Sequence, residues 1–183
     1  MNIEYSKIRI TQVLHSYQPS RAYTATPTAS CPCLAISTDD SCLVAGGLSP
    51  TSLLVFNAAT LSVVRIVSLA SDVHAVAFGP NRALFVSTAG KSLLSVRLPG
   101  IAALSAGESI PPATETSDAH RAVAEGMAVS RNGRALVTGG NDRMVKVWPT
   151  ACLSSAFDAS EAQSYVGHSD HVTKLRFSPD GTH

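Results

Sequence analysis

Apolar and polar residues alternate along this chain in short runs, and they rarely recur every three or four positions. Thr173, Leu175 and Phe177 fall on one side of such a run, Val172, Lys174 and Arg176 on the other. Val73–Phe78 and Ala83–Ser87 read likewise, as do Ser52–Phe56 and Met144–Trp148. A period of two sends successive side chains to opposite faces of a strand. Many short strands at regular spacing, with a short helix in 101–107 as the one helical run, predict an all-β chain.

The strands are punctuated by similar turns. Ser37-Thr-Asp-Asp40, Gly79-Pro-Asn-Arg82, Ser130-Arg-Asn-Gly133 and Ser178-Pro-Asp-Gly181 each follow an apolar run, and their first residues stand 42, 51 and 48 positions apart. One four-stranded unit of a repeating β architecture takes roughly 40–45 residues. The two longer steps therefore predict insertions, placed in residues 99–119, rich in proline and small polar residues, and in residues 149–163. The resulting division is a partial unit and crossing segment in 1–32, units in 33–70 and 71–98, the 99–119 insertion, a unit in 120–166 and the start of another in 167–183.

Thr138-Gly-Gly-Asn-Asp-Arg-Met-Val-Lys-Val-Trp148, followed by Gly167-His-Ser-Asp-His-Val172 and Phe177-Ser-Pro-Asp-Gly181, resembles a WD repeat. That resemblance implies a β-propeller that binds other proteins and does no catalysis. It also implies a structural tetrad. His120 lies ten residues before Ser130, and Thr138 and Asp142 lie ten and six before Trp148. His168, after Gly167, takes the same place before Ser178 as the start of the next repeat, whereas Ala119 stands where a glycine is expected before His120. In the family these positions form a buried chain: the carboxylate accepts an imidazole N–H, the other ring nitrogen accepts from the hydroxyl, and the indole N–H finds an acceptor. The same residues allow a second reading, a hydrolase with Thr138 as nucleophile, His120 as base and Asp142 as orienter. A nucleophile must face a cleft, which a blade packed against its neighbour does not offer.

Earlier repeats depart from the pattern. Phe56 stands at the tryptophan position of the first, with Pro50 and Gly46 where the carboxylate and hydroxyl belong. In the second, Arg97 aligns with the tryptophan and Lys91 with the aspartate, so that unit is expected to rely on Val76, Phe78, Leu84, Val86, Leu94 and Val96. Ser6–Ile10 and Gln12–Leu14 read as two further strands at the start. The tally is about fifteen strands, or three complete blades with partial blades at both ends. A ring below four blades does not close, which predicts a piece of a larger propeller, or else a four-bladed ring closed by residues 1–16 beside 171–183.

Charge narrows the function classes. Fourteen basic and thirteen acidic residues give a formal charge of +1, with no polyelectrolyte footprint for nucleic acid. Lys174 and Arg176 read as a solvated strand face. No window approaches the roughly 20 apolar residues of a membrane span. Glu4 interrupts any signal peptide, and the Ser/Thr-rich stretch 11–30 lacks the amphipathic pattern of a transit peptide. Cys31, Cys33, Cys42 and Cys152 do not pair at zinc spacing, and His168 with His171 has Asp170 alone as a nearby ligand, so neither metal nor cofactor is expected.

Two segments, Arg9–Pro19 and Ser164–Val172, are similar to the large centriolar and ciliary WD-repeat proteins. That likeness implies a cytoplasmic, cytoskeletal scaffold at centriole, basal body or cilium, with tubulin and centriolar scaffold proteins as partners. The alternative is a general adaptor, such as the substrate-binding propeller of a ubiquitin ligase or of an RNA-processing assembly. The exposed loops 99–119 and 149–163 are the candidate contact surfaces.

Overall fold

The computed structural model describes residues 33–46, 50–150, 160 and 162–178. The partial blade in 1–32, Cys31, Cys152, most of the 149–163 insertion and the tip of the 178–181 turn lie outside the described residues. Within them, twelve strands form three four-stranded antiparallel sheets. The first holds β1 (Cys33–Ile36), β2 (Cys42–Gly46), β3 (Ser52–Asn57) and β4 (Val63–Ser68). The second holds β5 (Val73–Phe78), β6 (Ala83–Thr88), β7 (Leu93–Arg97) and β8 (Thr114–Thr116). The third holds β9 (Ala124–Val129), β10 (Ala135–Gly140), β11 (Met144–Pro149) and β12 (Gln163–Val166). Among the described residues no helix is long and apolar enough to cross a membrane.

Each sheet follows sequence order because each strand turns back onto the last, through short loops except between β7 and β8 and between β11 and β12, which the two insertions join. In two sheets a serine starts the first turn and closes it: Ser37 Oγ accepts from the Cys42 N–H at 2.9 Å, and Ser130 Oγ from the Ala135 N–H at 2.9 Å. Gly79 has no hydroxyl, and its turn is tighter, with the Gly79 N–H donating to Ala83 O at 2.7 Å, four residues on rather than five. Asn81 and Arg82 take positive φ of 52° and 58° to make that turn.

The missing residue in that turn moves everything after it by one. Leu136 faces Trp148 across β10 and β11, and the corresponding pair in the second sheet is Leu84 with Val96, not with Arg97. Val96 thus occupies the tryptophan position, Val86 the Thr138 position and Gly90 the Asp142 position. Successive strand residues point to opposite faces, so the one-residue slip in the alignment put Arg97 and Lys91 on the wrong face. In the first sheet the Thr138 position belongs to Ala45, paired with Leu54 as Thr138 pairs with Lys146, and not to Gly46.

The first strands of successive sheets lie side by side, β5 next to β1 and β9 next to β5, so the sheets stack face to face around them. Between the first two sheets, Cys42, Val44, Leu53 and Val55 meet Val73, Val76, Phe78, Leu84 and Val86. Between the second and third, Phe85 and Leu93 meet Leu136 and Trp148. Residue size is matched across each junction. A Cβ on Gly46 would meet Val73 Cγ1 at 2.6 Å, and one on Gly139 would meet Val172 Cγ1 at 2.4 Å. At the equivalent place between them stands Ser87, facing the smaller Ala124, whose carbonyl accepts from Ser87 Oγ at 2.6 Å.

The 99–119 insertion is more structured than its composition suggests. It supplies β8, the fourth strand of the second sheet, which the sequence division at residue 98 leaves out. Thr-Glu-Thr is too short and too polar to stand out by alternation. The insertion also holds the helix α1 (Ile101–Ser105), which folds back onto the first sheet. Leu104 is 1% exposed there, and Arg65 of β4 donates through Nη2 to Leu104 O at 3.2 Å and Glu108 O at 3.1 Å. Residues 167–178 form no regular strand; Val172 is buried against Gly139, and its N–H donates to Gly140 O at 3.1 Å. Strand pairing needs a hairpin partner, and none follows among the described residues.

Candidate functional site

His120, Thr138, Asp142 and Trp148 meet on the face of the third sheet that is pressed against the second. The indole Nε1–H of Trp148 donates to Thr138 Oγ1 at 2.8 Å. Thr138 Oγ1 lies 2.7 Å from His120 Nε2, and His120 Nδ1 lies 3.0 Å from Asp142 Oδ2. An ionised Asp142 carboxylate can only accept, so the ring nitrogen facing it, Nδ1, carries a hydrogen. In the neutral ring Nε2 is then bare and accepts from the Thr138 hydroxyl, whose oxygen accepts from the indole. Burial is what favours the neutral ring over the charged one.

The electrostatics agree. Burial pushes His120 below the ordinary imidazole range, outweighing the nearby Asp142 carboxylate, which pulls the other way. Burial works to raise the Asp142 carboxyl, but the backbone N–H groups of Arg121 at 2.9 Å and Met144 at 3.1 Å, together with His120, hold it below its usual value. Asp142 thus ties the segment leading into β9 to the hairpin between β10 and β11. Its bond to the N–H two residues on is the local turn habit of aspartate.

Lys146 is a participant that the motif does not reveal. It sits opposite Thr138 in the β10–β11 register, donates through Nζ to Ala119 O at 2.6 Å and lies 5.5 Å from the centre of the Trp148 ring. Burial, against the pull of Asp142, lowers its pKa. Its place two residues before the tryptophan puts it on the same face, and that alternation is the signal by which the sequence could have shown it.

Thr138 is 1% exposed, His120 2% and Trp148 0%. The cavity beside them, lined by Ser87, Leu93, Ala119, His120, Ala124 and Thr138 among others, holds about 10 Å³. That is room for about one water molecule, so no substrate reaches the Thr138 hydroxyl in this arrangement. Gly167 and His168 are exposed and join no such chain among the described residues. No group of three or more His, Cys, Asp or Glu residues there is arranged to hold a metal. Burial raises the Cys42 pKa to about 11, leaving it an inert apolar side chain.

Residues 114–149 and 159–183 match the family model described as WD domain, G-beta repeat. Over these two stretches, about a third of the chain, the sequence is similar to WD40 repeats. The match spans the tetrad residues and β8 through β12, and the three stacked sheets extend the propeller architecture back to Cys33. Two solved structures share the fold, "Structure of U3-55K" and "Crystal structure of RRP9 WD40 repeats", each with a TM-score of 0.61 at 19% identity. Each covers 84% of this chain, which in turn spans 43% and 42% of theirs, less than half their length. At that identity the likeness establishes the WD40 propeller fold. No curated protein matches the sequence.

Proposed function

We propose that this chain is a non-catalytic WD40 scaffold whose blades present surfaces to other proteins. The observation that carries the reading is the fate of the His120, Thr138 and Asp142 side chains. Each spends its hydrogen bonds on another member of the same blade, in a junction with room for about one water molecule. The tetrad's role is then to hold the third sheet's loops and strands in one arrangement. Such a network stabilises when every member is satisfied.

The finer reading is a structural component of centriolar or ciliary microtubules, in the cytoskeleton at centriole, basal body or cilium, with tubulin and centriolar scaffold proteins as partners. Its support is the similarity of Arg9–Pro19 and Ser164–Val172 to WD-repeat-containing protein 90, also called proteome-of-centriole protein 16. The test is immunofluorescence of the native protein beside a centriole marker, with co-purification of tubulin. Signal at centrioles or ciliary bases with tubulin recovered is the expected result. Diffuse signal, with recovery of ubiquitin-ligase or RNA-processing subunits instead, would replace it with the adaptor reading.

A further inference from the structure

The three sheets end differently at their outer edges. β4 is covered: α1 lies over it and Arg65 reaches across to the carbonyls of Leu104 in the helix and Glu108 just after it. β8 is only three residues long, too short to offer a pairing template. β12, one residue longer, has no such cover among the described residues. Its four residues, Gln163-Ser-Tyr-Val166, are all exposed, carry no charge and contain no proline. Tyr165 is 55% exposed and Val166 80%. Exposed backbone on an edge strand is a template for another strand, and proteins normally blunt it with charge, proline, brevity or a cover.

Further blades would not hide this edge. A propeller grows by stacking sheets on faces, whereas β12 is the outermost strand of its own sheet. Val166 pairs with Met144, which lies on the same face as Lys146 and Trp148 and is turned toward the second sheet. That sheet is already in place, and Val166 is still 80% exposed.

We propose that the free edge of β12 is a docking strand, taking an extended, uncharged peptide of a partner protein as a fifth strand of this blade. This rests on the scaffold reading and names one of its contact sites. Main-chain hydrogen bonds supply affinity in this mode, and the side chains at alternate positions supply selectivity. Val166 with Met144 beneath it calls for an apolar residue opposite, and nothing in the strand compensates a charge. A second copy of this chain is not the occupant: four residues span about 13 Å, and a stable dimer buries about 1,200–2,000 Å².

The test pans a displayed library of random 12-residue peptides against the full chain and measures the enriched peptides by fluorescence polarisation. The proposal expects uncharged β-forming peptides, bound at least tenfold more weakly by Val166→Lys, and slowed hydrogen exchange across residues 163–166 of the unsubstituted chain on binding. The exchange measurement does not depend on how the variant folds. Failure to enrich any peptide, or peptides that leave exchange at 163–166 unchanged, would overturn it. Concentration-dependent self-association abolished by Val166→Lys would overturn it too, by making a second copy the occupant. Neither failure touches the scaffold reading, which turns on the proteins recovered with the native chain.

Discussion

The two junctions between neighbouring sheets solve the same packing problem with opposite chemistry. Where the second sheet meets the first, Val86 and Val96 fill the Thr138 and Trp148 positions, and the clustered side chains are apolar. Where the third meets the second, those positions and two more are joined by hydrogen bonds running from Trp148 to Asp142. An apolar junction is indifferent to direction and tolerates losses piecemeal. A hydrogen-bond chain has a direction, needs every member and brings a titratable ring into the core.

The largest difference should come from Trp148. Replacing it by alanine removes the biggest fully buried side chain and leaves Thr138 with one partner fewer. The expected loss is about 3–5 kcal/mol, read from chemical denaturation of the chain. Leu84→Ala in the apolar junction should fall at about 2–5 kcal/mol and leave the polar chain intact. A Trp148→Ala loss below that of Leu84→Ala would remove the tetrad's claim to organise its blade.

Next in size is the carboxylate. Asp142→Ala should cost about 1–3 kcal/mol, because the Arg121 and Met144 N–H groups lose an acceptor along with His120. Combining it with His120→Ala should cost much less than the two single losses added. Strict additivity in that cycle would mean that the two side chains act independently.

The pH dependence sharpens the contrast. The fold lowers the His120 pKa, so the unfolded chain binds the extra proton more readily, and stability rises with pH in that range. The contribution is complete above the ordinary value of 6.5 and is lost as pH falls below it. Asp142, also lowered, adds its own loss only below its ordinary value of 3.8. His120→Leu should therefore flatten the stability slope between these two values, whereas Leu84→Ala should leave it unchanged. An identical slope in His120→Leu would assign the titration elsewhere.

The smallest effect concerns size matching. Ser87→Ala should cost about 1 kcal/mol through the lost bond to Ala124 O. Ala124→Val with Ser87→Gly would rebuild the pairing seen at Gly46 with Val73 and at Gly139 with Val172. It should be more stable than Ala124→Val alone in a thermal melt. Equal melting temperatures would make the pattern coincidental.

The residues differ in how far they announced these features. The all-β fold and its stacked four-stranded sheets were legible because alternation in segments such as Val73–Phe78 maps directly onto strand faces. The grouping of His120, Thr138, Asp142 and Trp148 was legible only through the resemblance to a WD repeat, since His120 precedes β9 and lies outside the β10–β11 hairpin. The register of the second sheet was not, because a turn tighter by one residue at Gly79 leaves no mark in hydrophobicity yet moves Arg97 off the face that Val96 occupies. β8 was missed because pairing with β7 creates it, not its own Thr-Glu-Thr sequence. Lys146 was overlooked because its partner is a backbone carbonyl, which no side-chain motif records.

Nitrogen-15 NMR of the imidazole rings, followed from pH 8 to pH 5 and assigned by the loss of one signal in His120→Leu, tests the closed hydrogen-bond chain most directly. The account predicts that His120 stays neutral with its hydrogen on Nδ1, and takes a proton only below the ordinary imidazole range as the fold weakens. A ring that titrates reversibly near 6.5 in the folded chain, or carries its hydrogen on Nε2, would contradict it and return Thr138, His120 and Asp142 to the list of groups free to react.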